Sequence, residues 1–358
     1  MSRLRVGILG ATGMVGQRFI TLLEDHPWFE VTAVAASKDS AGKRYEDAVK
    51  GRWKYSTPIP AGVRDLVVYS VEDEVANMQA QVDFVFSSMD MDKDAIRRIE
   101  EVYAAAGMPV VSNNSAHRWT SDVPMVMPEI NPHHVDIIPA QQKNRGWTKG
   151  FIAVKPNCSV QSYMPVIEAL KAYGPERAVV TTMQAISGAG KTFETWPQMV
   201  DNVIPYIPAE EEKSEKEPMK IWGALENGAF TLAQAPHISV NCIRVPVSDG
   251  HMAAVNIAFK QKPSREEFLN AIIHFDDPLK ELTLPSSPQP VITYFEQEDR
   301  PQTKLDRDLC RGMGISVGRL REDAILDWKF IALSHNTIRG AAGGAILLAE
   351  LLKAKGFI

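Results

Sequence analysis

The sequence predicts a two-part protein: an N-terminal α/β domain on a parallel sheet, then an α+β domain with a mixed sheet. Three observations lead there. Up to residue 157, short apolar runs alternate with helix-period segments, the pattern of strands joined by crossover helices. From residue 158, apolar runs follow one another with few helical segments between them, which suits an α+β domain. The chain has 358 residues, 45% hydrophobic and 23% charged, enough for two cores. The predicted division is 1–157 and 158–335, with 336–358 returning as a helix to complete the first domain.

Bulk properties exclude several classes. A net charge of −5 argues against nucleic-acid binding. No long uncharged apolar run suggests a membrane span, and the charged, strand-like start is unlike a secretory signal. Three scattered cysteines, Cys158, Cys242 and Cys310, make neither a disulfide framework nor a zinc site. No metal is expected, and a reducing cytoplasm fits best.

Arg5 to Leu9 reads as a buried strand, and Gln17 to Glu24 has helical spacing. Between them Gly10-Ala11-Thr12-Gly13-Met14-Val15-Gly16 is a variant of the Rossmann-like dinucleotide fingerprint, in the strand–turn–helix context that the motif requires. Helix N-terminal amides there suit a phosphate. The second strand, Val31 to Ala35, runs into Ser37, Lys38, Asp39, Ser40, Lys43 and Arg44. Two hydroxyls and three cations suit a ribose 2′-phosphate and hence NADP, while Asp39 opposes it. Further strands, Val82 to Phe86 and Val110–Val111, flank a helix from Asp94 to Ala106 that Gly107 ends. Ser88, Asn113 and Arg118 follow strand ends, where parallel sheets bind ligands. His133 and His134 fall at a helix start and need no functional role.

Cys158 lies in Lys155-Pro156-Asn157-Cys158-Ser159-Val160-Gln161, where the apolar run from Phe151 gives way to a helix-like segment, Tyr163 to Leu170. A thiol at a helix N-terminus has a lowered pKa, and the amides there can hold an oxyanion. The alternative is a cysteine that packs as a small hydrophobe. Ala178 to Ile186 is a strand carrying Gln184, and it ends in the turn Ser187-Gly188-Ala189-Gly190. The acidic run from Glu210 to Glu217 reads as a solvated helix face. Arg244 lies on the strand Ile238 to Val247, and His251 enters the next strand after Ser248-Asp249-Gly250. Gly312 to Leu320 and Ala324 to Leu333 read as antiparallel strands, and Asn336 to Ala345 opens a small-residue closing helix.

In order, Gly10–Gly16, Asn113–Arg118, Lys155–Gln161, Gln184–Gly190, Arg244–His251 and Asn336–Ala342 resemble the aspartate-β-semialdehyde dehydrogenases of the archaeal and fungal branch. The likeness runs over essentially the whole chain. It implies reductive dephosphorylation of L-aspartyl 4-phosphate to L-aspartate 4-semialdehyde with NADPH, on the route to lysine, threonine and methionine. It also implies a homodimer or homotetramer. By position it makes Cys158 the nucleophile and His251 the acid–base. Arg244 would hold the α-carboxylate, Gln184 the acyl group, and Asn113 with Arg118 the phosphate. Glu210 or Glu211 would take the ammonium, with Lys213 near the phosphate. Gly10, Thr12, Gly13, Met14, Val15, Ser37, Ser40, Ser88, Ser187, Gly188 and Asn336 would contact the cofactor.

The chemistry is coherent without the resemblance. An acyl phosphate is a good acyl donor to a thiolate, and a histidine with a pKa near the working pH suits proton transfer. Malonyl-CoA reductase and N-acetyl-γ-glutamyl-phosphate reductase would use the same cysteine but need no acidic anchor for an ammonium. A non-catalytic NADP-binding regulator would need neither Cys158 nor His251.

Overall fold

The fold is taken from a computed structural model that describes residues 3–226 and 228–358. Six short strands build the first sheet: β1 (Leu4–Leu9), β2 (Phe29–Ala36), β3 (Val68–Ser70), β4 (Phe84–Ser87), β5 (Val110–Ser112) and β6 (Ile152–Val154). All are parallel, in the order β3-β2-β1-β4-β5-β6. That order reverses direction beside β1, so the strand ends around β1 and β4 open a crevice. The glycine turn lies there. Gly10 has φ +83°, and a Cβ on it would come 2.6 Å from the Ser88 carbonyl oxygen; on Gly16 it would come 2.2 Å from that of Gly10. Both contacts are with backbone, so no side chain can give way.

The second sheet is mixed, as predicted. Its strands are β7 (Pro175–Gln184), β10 (His237–Arg244), β11 (His251–Phe259), β12 (Ile292–Phe295), β13 (Ile315–Glu322) and β14 (Trp328–Ser334), ordered β10-β7-β11-β14-β13-β12. A separate antiparallel pair, β8 (Ala224–Glu226) and β9 (Ala229–Thr231), precedes β10. β7 alternates buried Ala178, Val180 and Thr182 with outward Arg177, Val179 and Thr181, so one face of this sheet is left uncovered. The edge strand β10 is covered by the helix Glu210–Ile221, whose Glu215 and Glu211 accept the Val240 and Cys242 N–H groups at 3.1 Å each. This corrects the reading of the acidic run as a solvated face. Glu210, Ser214, Glu217 and Ile221 are buried at helical spacing, and Glu212 and Lys216 take the solvent side.

Residues 336–354 pack back against the first sheet. A π-turn, Ile338–Ala342, leads into the helix Gly343–Ala354, which is buried from Gly343 to Leu352. Ile346, Leu347 and Leu348 pack with Val6, Ile8, Phe84 and Phe86 in one core. Each such side chain contributes about 1.5–3 kcal/mol. The turn is locked by Arg339, wholly buried, which donates to Glu129 at 2.8 Å and to the Met313 carbonyl at 2.8 Å. Short strands β3, β8, β9 and β12 escape the sequence reading, because three or four residues are too few to show a period.

Removing one partner of the buried Arg339–Glu129 pair strands the other. Arg339→Met is expected to lose about 3–5 kcal/mol in urea unfolding. The double variant Arg339→Met/Glu129→Leu recovers much of that loss.

Candidate active site

Cys158 follows β6 and caps the 3-10 turn Ser159–Gln161; the α-helix starts only at Met164 and has six residues. The helix-terminus account of a lowered thiol pKa is therefore corrected. A helix of six residues beginning six positions on gives little field at the sulfur. Burial pushes the Cys158 thiol up to about 11, with Glu210 adding to the rise, against Lys155, Arg118 and Arg244. Asn157 holds the loop: its Oδ1 accepts the Cys158 N–H at 2.8 Å and lies 3.5 Å from Sγ.

The buried helix face meets this loop. Glu217 accepts the Asn157 N–H at 2.6 Å and Arg118 Nη1 at 2.7 Å. Glu210 accepts Asn157 Nδ2 at 2.7 Å, and its other oxygen pairs with Lys213 at 3.2 Å. Glu211 does not join them. Its carboxylate is spent on the Cys242 amide of edge strand β10, on another face of the helix. The sequence alone assigns Glu217 and Asn157 no role in the site. The spacing of Glu210, Ser214 and Glu217 was the available signal, since i, i+4 and i+7 share a helix face.

Strand ends supply the other wall. Gln184 ends β7 and pairs in register with Arg244, the end of parallel β10. Gln184 Nε2 donates to Thr182 at 3.2 Å, and Arg244 Nη1 donates to the Ala185 carbonyl at 2.6 Å. His251 starts antiparallel β11 and so comes to the same edge. Its Nδ1 accepts the Ala185 N–H at 3.1 Å, which leaves the proton of the neutral ring on Nε2. Nε2 is buried with no partner. A pKa near the working pH is corrected: burial, then Arg244, pushes His251 down to about 3. Asn336 braces this corner, accepting the Gly250 N–H at 2.8 Å and donating to Ser187 at 2.9 Å. A Cβ on Gly188 would lie 2.8 Å from Arg244 Nη1 and 3.1 Å from the His251 ring, so a side chain there would displace both groups.

Three cavities meet here. One of about 240 Å³ is lined by Asn113, Arg118, Cys158, Ser187, Lys213 and Asn336. One of about 380 Å³ is lined by Cys158, Gln184, Glu210, Lys213, Arg244 and Trp196. The third, about 550 Å³, is lined by Thr12, Gly13, Met14, Val15, Ser88 and Asn113, and shares Gly188 with both others. No side chain caps the helix Met14–Leu23, so its first amides have no acceptor within the helix. The buried Asn113 Oδ1 also lacks a partner. Open amides, a glycine cradle and an orphan acceptor fit a dinucleotide.

Gly10 shapes the turn from behind, while Ser37 is exposed and Ser40 buried at the end of β2, outside that lining. The cations expected to meet a 2′-phosphate are otherwise engaged. Lys38 pairs with Glu72 and Asp73, Arg44 with Glu46 and Asp65, and Lys43 donates to the Asp39 carbonyl. Acidic neighbours brought in by β3 and its flanks were invisible from the local run. Arg52 and Lys54 line the cavity instead, tied by Gln17, which donates to the Arg52 carbonyl and accepts the Lys54 N–H. No pattern in their loop announced them. Among the described residues no cluster suits a metal ion, and no helix is long and apolar enough to cross a membrane.

Residues 5–138 match the family model described as semialdehyde dehydrogenase, NAD binding domain, and residues 165–339 that described as semialdehyde dehydrogenase, dimerisation domain. An aspartate-semialdehyde dehydrogenase of Archaeoglobus fulgidus is 43% identical over 350 residues, 98% of this chain and 98% of the relative. That of Aspergillus fumigatus is 44% identical over 363 residues, 99% and 98% of the two chains. A crystal structure of the Candida albicans aspartate semialdehyde dehydrogenase with NADP superposes with a TM-score of 0.88 at 39% identity, covering 100% of both chains.

The His251 shift sets a pH dependence. An unfolded chain takes up a proton near pH 6.5, whereas the folded ring stays neutral to about 3. The unfolded state thus binds more protons across that window, and stability falls as pH drops through it. His117, His134 and His335, each held near 4, act in the same sense. Urea midpoints are expected to fall between pH 8 and pH 5, and His251→Asn to remove about 2 kcal/mol of that fall.

Proposed function

The chain belongs to the aspartate-semialdehyde dehydrogenase family, and on that premise we propose that it converts L-aspartyl 4-phosphate to L-aspartate 4-semialdehyde with NADPH through a thioester on Cys158. One observation carries the reading: Cys158 lines both the Arg118–Lys213 cavity and the Glu210–Arg244 cavity, next to the nucleotide crevice. The substrate has two anionic ends and one ammonium. Arg118, Lys213 and Asn113 take the phosphate, Arg244 the α-carboxylate, and Glu210, rather than Glu211, the ammonium. Gln184 orients the acyl group between them.

Cys158 attacks the acyl carbon as the thiolate, its proton having left to solvent; the S–C bond forms as the C–O bond to phosphate breaks, and phosphate departs to the Arg118 side. NADPH, when bound, supplies the hydride that reduces the thioester carbon. His251 carries its proton on Nε2, the form that donates to the oxyanion of the resulting hemithioacetal. Collapse of that adduct breaks the C–S bond and returns the sulfur to Cys158. A substrate carboxylate on Arg244 offsets the charge that helps depress His251, so the ring is more basic in the complex. Gly13–Val15, Ser88 and Gly188 would hold the cofactor, joined by Ser187 and Asn336, with Ser37 and Ser40 as candidate ribose contacts. Functionally the chain divides near Cys158, with residues 336–358 serving the nucleotide half. The uncovered face of the second sheet supports assembly as a homodimer or homotetramer, and biosynthetic chemistry of this kind suits the cytoplasm.

With L-aspartate semialdehyde, phosphate and NADP⁺, absorbance of NADPH should rise, and omission of phosphate should abolish the rise. Its persistence without phosphate would contradict the proposal. Cys158→Ala should lower turnover by about a thousandfold or more with the unfolding midpoint retained. Glu210→Gln should raise KM for the semialdehyde about tenfold or more, the worth of a charge-assisted hydrogen bond, while Glu211→Gln leaves it unchanged.

A further inference from the structure

We infer that Asn114 binds the cofactor: its carboxamide oxygen accepts a hydrogen bond from the nicotinamide riboside half of the dinucleotide, and Glu100 fixes it in that setting. The inference rests on the reading that NADP occupies the crevice beside Cys158. Val15, Asn113, Asn114 and Gly188 line both the cavity over the glycine turn and the cavity that holds Cys158. A dinucleotide with its pyrophosphate at the amides of Gly13–Val15 and its reactive ring beside Cys158 has to pass between them. Val15 and Gly188 bring no polar side-chain atom to this passage. Asn113 is assigned to the phosphate, which leaves Asn114.

Asn114 follows β5 and is held from behind. Its backbone N–H donates to Ser112 Oγ at 3.0 Å, and that hydroxyl gives its own proton to Glu100 Oε1 at 2.6 Å. Oε1 is therefore an acceptor, and the group of Asn114 that faces it is the amide nitrogen. Nδ2 donates to Oε1 at 3.1 Å and to Ser87 Oγ, at the end of β4, at 2.9 Å. Both amide hydrogens thus point inward. The remaining polar atom, Oδ1, accepts from none of the described residues and is not among the unpartnered atoms sealed in the interior. A planar carboxamide held in this way turns its oxygen to the cavity wall, where it can serve only as an acceptor.

That restriction selects the part of the cofactor. A pyrophosphate offers only acceptors, and Oδ1 would repel it. The nicotinamide riboside offers donors: two ribose hydroxyls and the carboxamide N–H groups. Glu100 acts one step behind. It lies on the helix Lys93–Ala105, is wholly buried and lines neither cavity. Among the described residues its one basic neighbour is His117, whose Nε2 is 4.0 Å from Oε2, and burial holds that ring near 4 and so neutral. A buried acid without a cation is destabilising. The hydrogen bonds it makes, to Ser112 and Asn114, fix the end of β5. Glu100 is thus a positioning residue for Asn114.

The test is isothermal titration calorimetry of the full chain. Asn114→Ala should weaken NADP⁺ about fivefold, as expected for one neutral hydrogen bond. The affinity for adenosine 2′,5′-bisphosphate, which lacks the nicotinamide riboside, should stay unchanged. An unmoved NADP⁺ affinity overturns the inference, and so does an equal loss for both ligands, which would mean a distorted crevice. Glu100→Ala should reproduce the selective loss, while Glu100→Gln, which keeps Oε1 as an acceptor, retains wild-type affinity; no loss in Glu100→Ala overturns the role of Glu100. The 3-acetylpyridine analogue of NADP⁺ has no carboxamide N–H and so identifies the donor. If the Asn114→Ala loss vanishes with it, the donor is the carboxamide; if the loss persists, it is a ribose hydroxyl. Either result supports the contact. Should Asn114→Ala fail to fold, a crystal structure of the wild-type chain with NADP⁺ serves: a riboside donor within hydrogen-bond distance of Oδ1 supports the inference, and none there overturns it. A wild-type chain that binds no NADP⁺ removes the cofactor reading itself; wild-type binding with an unaffected Asn114→Ala removes only the role of Asn114.

Discussion

Both oxygens of the fully buried Glu217 carboxylate are occupied by groups from the first half of the chain. One takes the Arg118 guanidinium, the other the amide that begins the Asn157–Cys158 loop. Through this one side chain a helix that covers the edge of the second sheet sets the position of Arg118 and of the loop that carries Cys158. Two charges buried together are tolerable only when each is fully hydrogen-bonded, and here Arg118 also donates to the Lys155 carbonyl at 3.1 Å. Moving any one of Arg118, Asn157 or Glu217 therefore moves all three.

Around that bridge the charges are arranged by face. Glu210 and Lys213 share the cavity side of the acidic helix, and Glu211 and Glu215 bind the bare amides of β10. The same helix thus seals a sheet edge and lines the cavity beside Cys158. Its acidic composition serves both ends, since carboxylates accept backbone N–H groups as readily as they accept an ammonium.

The sequence displayed the parallel and mixed sheets because alternating apolar runs report burial directly. Gly10, Gly16, Gly188, Arg244 and His251 were legible for a related reason: turns and strand ends carry local signatures. Partner choice was not legible. Lys38 and Arg44 read as free cations until β3 and its neighbours brought Glu72, Asp73 and Asp65 against them. Glu211 and Glu210 are adjacent in sequence, and only the roll of the helix against β10 separates their tasks. The burial of Lys155 and Glu217 was not legible, because a buried ion is identified by what surrounds it: Glu217 meets Asn157 from 60 positions away, and Lys155 meets Gly340 from 185.

The closing segment has a consequence for how the protein is made. The core that backs β1 and β4 is completed by Ile346, Leu347 and Leu348, and the corner beside His251 is braced by Asn336. As the chain emerges from the ribosome, the nucleotide half, though first to appear, remains an unfinished sheet with an apolar flank until residues 336–354 arrive. The core of the nucleotide half thus closes only once that segment is in place. A nascent chain interrupted before that point presents a sticky surface to chaperones and proteases rather than a partially working enzyme.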